Sequence, residues 1–407
     1  FGMRTAPAVS ELSVRLAEGT VDECRVRLDS QQVSVKSVLL NRGGYSYLTG
    51  PAVPGKEKQE AAPVPGGSTP SLPWTVRVGS VVLDDNRAEY GLLNHRPAAG
   101  FDPSFIALST LDLAVDSIYN RGADIALQIR RMAFTERSGL TVSDMTGDIG
   151  MDASGISLAG VTLKTPFSRI EANISAGEGI LALAPDSPLK AALTADVNTK
   201  DLKYLYPALI PPMLDGRIVS LALTAAGTLG DIGKAGLDIS SPGHVAFTAD
   251  GAARNVLDPD RMEASARFEG DFRDMAFLEA LLPDSALRRR IAIPDRIRLR
   301  GTAGADKGAF SAASTLSTDG GEIALQGQLD TRSEAYEIEL RCDSFPLNRF
   351  LPADSLGLLD LALQAGGSGF DPLRAQTRGN IRLQVDRAEF RGRHFGGVEL
   401  NAKRYET

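Results

Sequence analysis

The chain has 407 residues, 43% of them hydrophobic and 23% charged, the composition of an ordered protein rather than a disordered tail. A formal charge of −7 argues against a nucleic-acid binder, and the short basic runs Arg130-Arg131 and Arg288-Arg289-Arg290 read as solvated faces. No apolar stretch approaches the ~20 residues that span a bilayer, and the hydrophobes are chiefly aliphatic, with 6% aromatics and one Trp.

In chain order, a two-residue apolar/polar rhythm dominates, which places one greasy and one wet face on each strand. Residues 1–50 form an N-terminal β segment with strands at Glu11–Ala17, Glu23–Leu28, Val33–Leu40 and Tyr45–Leu48. Turn signals at Glu18-Gly19, Asp29-Ser30 and Gly43-Gly44 separate them at hairpin distances. Residues 51–73, rich in Pro, Gly and Ala without periodicity, read as a loop or linker. Strands resume at Trp74-Val76-Val78 and continue through 74–190, including Leu111-Leu113-Val115 and Ile125-Leu127-Ile129.

Residues 191–407 repeat at about 70 residues. Three times a strand leads into a short amphipathic stretch ending in proline: Asp201–Leu205 to Pro211, Asp274–Leu278 to Pro283, and Phe345–Phe350 to Pro352. Each is followed by a strand ending in small residues, "SLALTAAGTLGD", "IRLRGTAGADKG" and "LALQAGGSGFD". Alternation continues in Leu193-Ala195-Val197, Leu221-Leu223 and Ile338-Leu340. Such a period marks an array whose units lean on their neighbours. The expected fold is therefore all-β, an elongated repetitive antiparallel sheet with short amphipathic helices at repeat ends.

Catalytic chemistry is hard to place. His95, His244 and His394 have no companion at metal-ligand spacing, and His95 and His394 read as ordinary surface residues. Asp84-Asp85 and the Asp258/Asp260 pair look like turn carboxylates. No Gly-x-Ser-x-Gly elbow or phosphate loop occurs. The expectation is a non-enzyme with no cofactor and no metal. Cys24 and Cys342 fall on apolar phases and read as small buried hydrophobes, with a disulfide between them left open.

About sixteen strands with roughly three aliphatic side chains each present an apolar face of about 1,500 Å². Soluble monomers seldom leave more than a few hundred Å² open to water, so a second sheet, curling, or a guest must cover it.

The segments "DLKYLYPALIPPMLDGRIVSLALTAAGTLGDI", "IALQIRRMAFTERSGLTVSDMTGDI" and "CDSFPLNRFLPADSLGLLDLALQAGGSGFD" resemble the AsmA-like proteins, in particular the TamB branch, over residues 105–407. The resemblance implies an open groove of taco-like section in the periplasm of a Gram-negative bacterium, anchored in the inner membrane by a segment outside this chain. It implies phospholipid acyl chains as cargo and an outer-membrane barrel assembly protein as partner. The groove wall would comprise Leu111, Leu113, Val115, Ile125, Leu127, Ile129, Leu193, Val197, Leu221, Leu223, Ile338 and Leu340. The opening on Phe1 in mid-pattern fits a piece of a longer polypeptide. The competing reading is a scaffold for outer-membrane protein assembly, with a dry interior or a strand-accepting edge. A β-solenoid fits the alternation but not the proline-terminated stretches.

Overall fold

The structure, a computed structural model, describes residues 2–4, 10–50, 74–177, 184–206, 216–274, 292–351, 355–369 and 377–404. The chain is nearly all β, in an open sheet that does not close into a barrel. Contacts group it into two compact units: Phe1–Ala182 with Ala191–Ile218, and Leu183–Lys190 with Val219–Thr407. The 51–73 segment and the prolines Pro211, Pro283 and Pro352 lie outside the described residues, as does the second amphipathic stretch beyond Asp274.

The first unit contains β1 (Gly2–Arg4), β2 (Ser10–Arg15), β3 (Glu18–Asp22), β4 (Arg25–Arg27), β5 (Gln32–Asn41), β6 (Gly44–Thr49) and the long β7 (Thr75–Leu92). Then come β8 (Phe105–Arg121), β9 (Asp124–Glu136), β10 (Thr141–Asp152), β11 (Gly155–Lys164) and β12 (Arg169–Gly177), each antiparallel to the one before. The Glu18-Gly19 turn signal is part of a strand, because β3 pairs with β5 over Glu18–Asp22.

One seam departs from the antiparallel expectation. β5 and β6 both run parallel to β7, Gln32 opposite Thr75 and Thr49 opposite Leu92, with one register offset throughout. They behave as one long strand with a break at Arg42-Gly43. The connection from Thr49 to Thr75 is long enough for the crossover that parallel pairing requires.

Asn86, with 0% exposure, closes that break. Its Oδ1 accepts from Gly43 N–H at 2.7 Å, and its Nδ2 donates to Leu40 O and Asp84 O at 2.9 Å each. A carboxamide supplies both donor and acceptor, so one side chain satisfies backbone groups that the interrupted ladder leaves over.

The helix α1 (Thr199–Leu205) follows β13 (Pro188–Asn198). Asn198 caps it by accepting from Lys200 N–H at 2.9 Å. Buried Asp201 accepts the hydroxyls of Thr165 at 2.6 Å and Ser168 at 2.5 Å, fastening the helix to the β11–β12 turn.

The second unit is a meander of β14 (Ile218–Thr228), β15 (Ile232–Ser241), β16 (Val245–Arg254), β17 (Glu263–Arg273), β18 (Arg296–Asp306), β19 (Ala309–Thr318), β20 (Gly321–Asp330), β21 (Ala335–Pro346), β22 (Leu356–Ser368) and β23 (Arg378–Phe390). Each pairs antiparallel with the next, and β23 also pairs with β24 (Arg393–Phe395) and β25 (Val398–Arg404). After β21 comes a single helical turn, α2 (Leu347–Phe350), where Phe350 stacks on buried Phe345 at 4.9 Å between ring centroids.

The Asn86 splice generates a stability expectation. Asn86→Ala leaves Gly43 N–H without its acceptor and takes a donor from Leu40 O and from Asp84 O, the latter keeping Arg42 N–H at 3.0 Å, and should cost about 1–3 kcal/mol in denaturant unfolding of the first unit. An unchanged midpoint would show that the break closes without this side chain.

Candidate functional site

In an antiparallel ladder, directly paired residues share a face. In the second unit, pairing therefore strings the apolar phase into rows. One row runs Leu223, Leu237, Ala249, Phe268, Gly301, Ser314, Leu325, Leu340, Leu363, Leu383 and Leu400. The neighbouring row begins at Leu221 and Ile239 and passes through Phe247, Leu299, Leu316, Ile323, Cys342, Leu361 and Val385. A third, of smaller residues, includes Ala303, Ala312, Ile338, Ala365 and Ile381. Each row crosses eleven strands, β24 lying outside them.

These side chains are not sealed. Leu223 keeps 40% of its surface exposed, Leu325 and Ile338 39% each, and Ile381 46%. At ~4.8 Å between strands and ~6.8 Å between rows, three rows over eleven strands amount to roughly 1,000 Å². Leaving even half of that in water costs about 12 kcal/mol at ~25 cal/mol/Å², comparable to the whole net stability of a domain.

The first unit carries the same pattern. Val21, Val38, Val81, Val115 and Ile129 are paired in sequence across β3, β5, β7, β8 and β9. Leu40, Leu83, Leu113, Met132, Met145, Leu163 and Ile170 form the adjoining row. Leu127 lies opposite Ile149 and Ile125 opposite Met151. This surface is more crowded: Leu111, Val115 and Ile129 are 5%, 7% and 8% exposed.

The sequence-predicted wall residues thus fall into two groups. Leu111, Leu113, Val115, Ile125, Leu127 and Ile129 share one apolar patch of β8 and β9 in the first unit. Leu193 and Val197 flank buried Ala195 on one face of β13, also in the first unit. Leu221, Leu223, Ile338 and Leu340 belong to the rows of the second.

The opposite face of the second unit is polar, with a shallow concavity of about 820 Å³ floored by Ala313, Thr315 and Ala324. Its charges alternate across strands, Asp250 opposite Arg267 and Glu269 opposite Arg300, the signature of a solvated face that neutralises itself. Nearby, Arg296 first and Arg273 second hold the Asp271 carboxyl well below the usual carboxylate range.

Cys24 differs from expectation. It is a free thiol exposed between β3 and β4, in a stretch where Val26 and Leu28 of the same parity are exposed too. Cys342 is buried in the apolar row, and that burial raises its pKa. His95 also departs from a plain surface role, its Nε2 lying 2.7 Å from buried Asp102. Asp102 accepts from the N–H groups of Ala98 at 2.8 Å and Ser104 at 2.9 Å, fastening the loop between β7 and β8. Among the described residues, no cluster of three or more His, Cys, Asp or Glu is placed to hold a metal ion. No described helix is long and apolar enough to cross a membrane.

No family model, curated protein or solved structure matches the chain.

The loop clamp has a definite pH signature. Contact with His95 first, then the Ala98 N–H, lowers the Asp102 pKa from 3.8 to about 2. A carboxylate depressed in the folded state adds stability above its unfolded pKa and loses it as pH falls through the folded one. Thermal unfolding from about pH 5 down to about pH 2 should therefore show a decline that Asp102→Asn flattens. Identical slopes in the two proteins would mean that the clamp makes no contribution.

Proposed function

We propose that this chain is a segment of a periplasmic bridge that conducts phospholipids between the inner and outer membranes of a Gram-negative bacterium. Acyl chains slide along the apolar face while headgroups stay in water, and no residue is catalytic. The supporting observation is the row structure of the second unit: largely aliphatic rows in register over eleven strands, several of their side chains still open. Hydrocarbon matches this surface in chemistry and in indifference to detail, since smooth aliphatic rows offer no polar anchor for a rigid ligand. The resemblance to the TamB branch of AsmA-like proteins points the same way. It adds an inner-membrane anchor outside this chain and an outer-membrane barrel protein as partner.

A second reading, an assembly factor that accepts a client strand, draws on β25. All seven of its residues are exposed, and its described pairing is with β23.

Mass spectrometry of organic extracts of the purified chain separates the two. Phospholipid should co-purify with the wild type, and its amount should fall severalfold in Leu340→Asp and Leu363→Asp, with far-UV circular dichroism retained. A lipid-free wild-type protein would defeat the conduction reading. Global unfolding of both variants would instead indicate a dry core.

A further inference from the structure

Three places in the two units share one construction. In β7, Asp84 and Asp85 stand between the paired positions Leu83–Leu113 and Asn86–Leu111, so two residues face the single residue Asp112 of β8. In β11, Ala159 and Gly160 stand between Leu158–Ile174 and Val161–Ala172, facing Asn173 of β12. In β21, Asp343 and Ser344 stand between Cys342–Leu361 and Phe345–Leu359, facing Asp360 of β22. These are β-bulges, which bend the strand and sharpen its twist.

The second bulge residue is left-handed each time: φ is 50° at Asp85, 58° at Gly160 and 46° at Ser344. For the two that are not glycine, that conformation carries a steric cost. The bulge also turns an N–H away from the ladder, and the facing side chain takes it. Asp112 Oδ1 accepts from Asp85 N–H at 3.1 Å, Asn173 Oδ1 from Gly160 N–H at 2.8 Å, and Asp360 Oδ1 from Ser344 N–H. Arg387 braces the third, 2.7 Å from Asp360 Oδ2 and donating to Ser344 Oγ at 3.0 Å.

Without a bulge, a one-residue slip would throw every following apolar side chain onto the wet face. With the extra residue absorbed, Leu83 and Asn86, Leu158 and Val161, and Cys342 and Phe345 keep to one side. The bracketing side chain stands on the other.

We infer that Asp112, Asn173 and Asp360 are positioning residues that fix where the sheet bends while holding the apolar rows on one face. Their consequence for hydrocarbon occupancy rests on the function proposed above; the bracket itself does not.

Hydrogen exchange on the full chain reads the bracket directly. In Asp360→Ala, exchange at the Ser344 amide should rise at least about tenfold, the scale of a lost hydrogen bond to a charged group. In Asp360→Asn, which keeps the acceptor but loses the Arg387 ion pair, it should stay near wild type. Asp112→Ala should do the same at the Asp85 amide, an independent copy should the other variant fail to fold. Unchanged exchange at both amides overturns the inference, as does equal loosening in Asp360→Ala and Asp360→Asn, which would credit the ion pair instead. Co-purified phospholipid, followed in parallel, should drop in Asp360→Ala and recover in Asp360→Asn. A lipid-free wild type with loosened amides would sink only the conduction reading, and lipid unchanged despite loosened amides would sink the positioning role.

Discussion

The fold depends on phase. Apolar parity is kept along the strands except where a bulge resets it, and cross-strand pairing sums these parities into rows, interrupted at Gly270, Gly301 and Ser314, rather than scattered patches. An open sheet gains main-chain hydrogen bonds from such pairing, but the second unit has no opposing layer among its described elements to dispose of the greasy side. The energetics of that side follow from the ladder, because a row can be neither broken nor hidden one residue at a time. What touches the face decides whether the unit is comfortable in water.

The two units meet this constraint differently. In the first, β3 to β9 bring Val21, Val38, Val81, Val115 and Ile129 into one row, and the crowded part of it is buried. The parallel seam helps, because β7 is long enough to carry β5 and β6 end to end on one edge and β8 on the other. In the second, regular hairpin pairing leaves Leu223, Leu325, Ile338 and Ile381 partly open. Small residues in the third row, such as Ala303 and Ala312, keep the surface low. Gly301 is required for packing, since a Cβ there would lie 2.5 Å from Ala313 O and 2.7 Å from the Phe268 ring.

Much of this was legible from residue order, because alternation is a local property and pairing between successive strands preserves it. The alternation of Leu221-Leu223 and Ile338-Leu340 is read from parity, and the structure puts Leu223 and Leu340 in one row, Leu221 in the next and Ile338 in the third, all on one face of the second unit. What parity does not encode is where it resets. Asp84-Asp85 look like turn carboxylates but lie inside β7, where only the pairing of Leu83 with Leu113 and of Asn86 with Leu111 reveals the extra residue, and Asp360 hides inside Leu359-Asp360-Leu361 as any polar alternate would. The slips from Leu158 to Val161 and from Cys342 to Phe345 were visible signals, readable only once a neighbouring strand supplied the count. The parallel seam was invisible for a related reason: strand direction is set by a connection, here residues 50–74, rather than by the strands themselves. Cys24 misled because it shares apolar parity with Val26 and Leu28, and that side of the chain is itself exposed.

In the second unit every strand from β15 to β22 pairs in the ladder with the strands before and after it in sequence. Contacts of such short range favour quick, zipper-like assembly, each hairpin offering a template for the next. They also make length a free variable. Adding or removing one strand would reverse the chain's direction at the following turn, whereas adding or removing two restores both direction and parity. A molecule built this way can be stretched or shortened in steps of one hairpin, to match a gap of any width, without redesigning any part that stays.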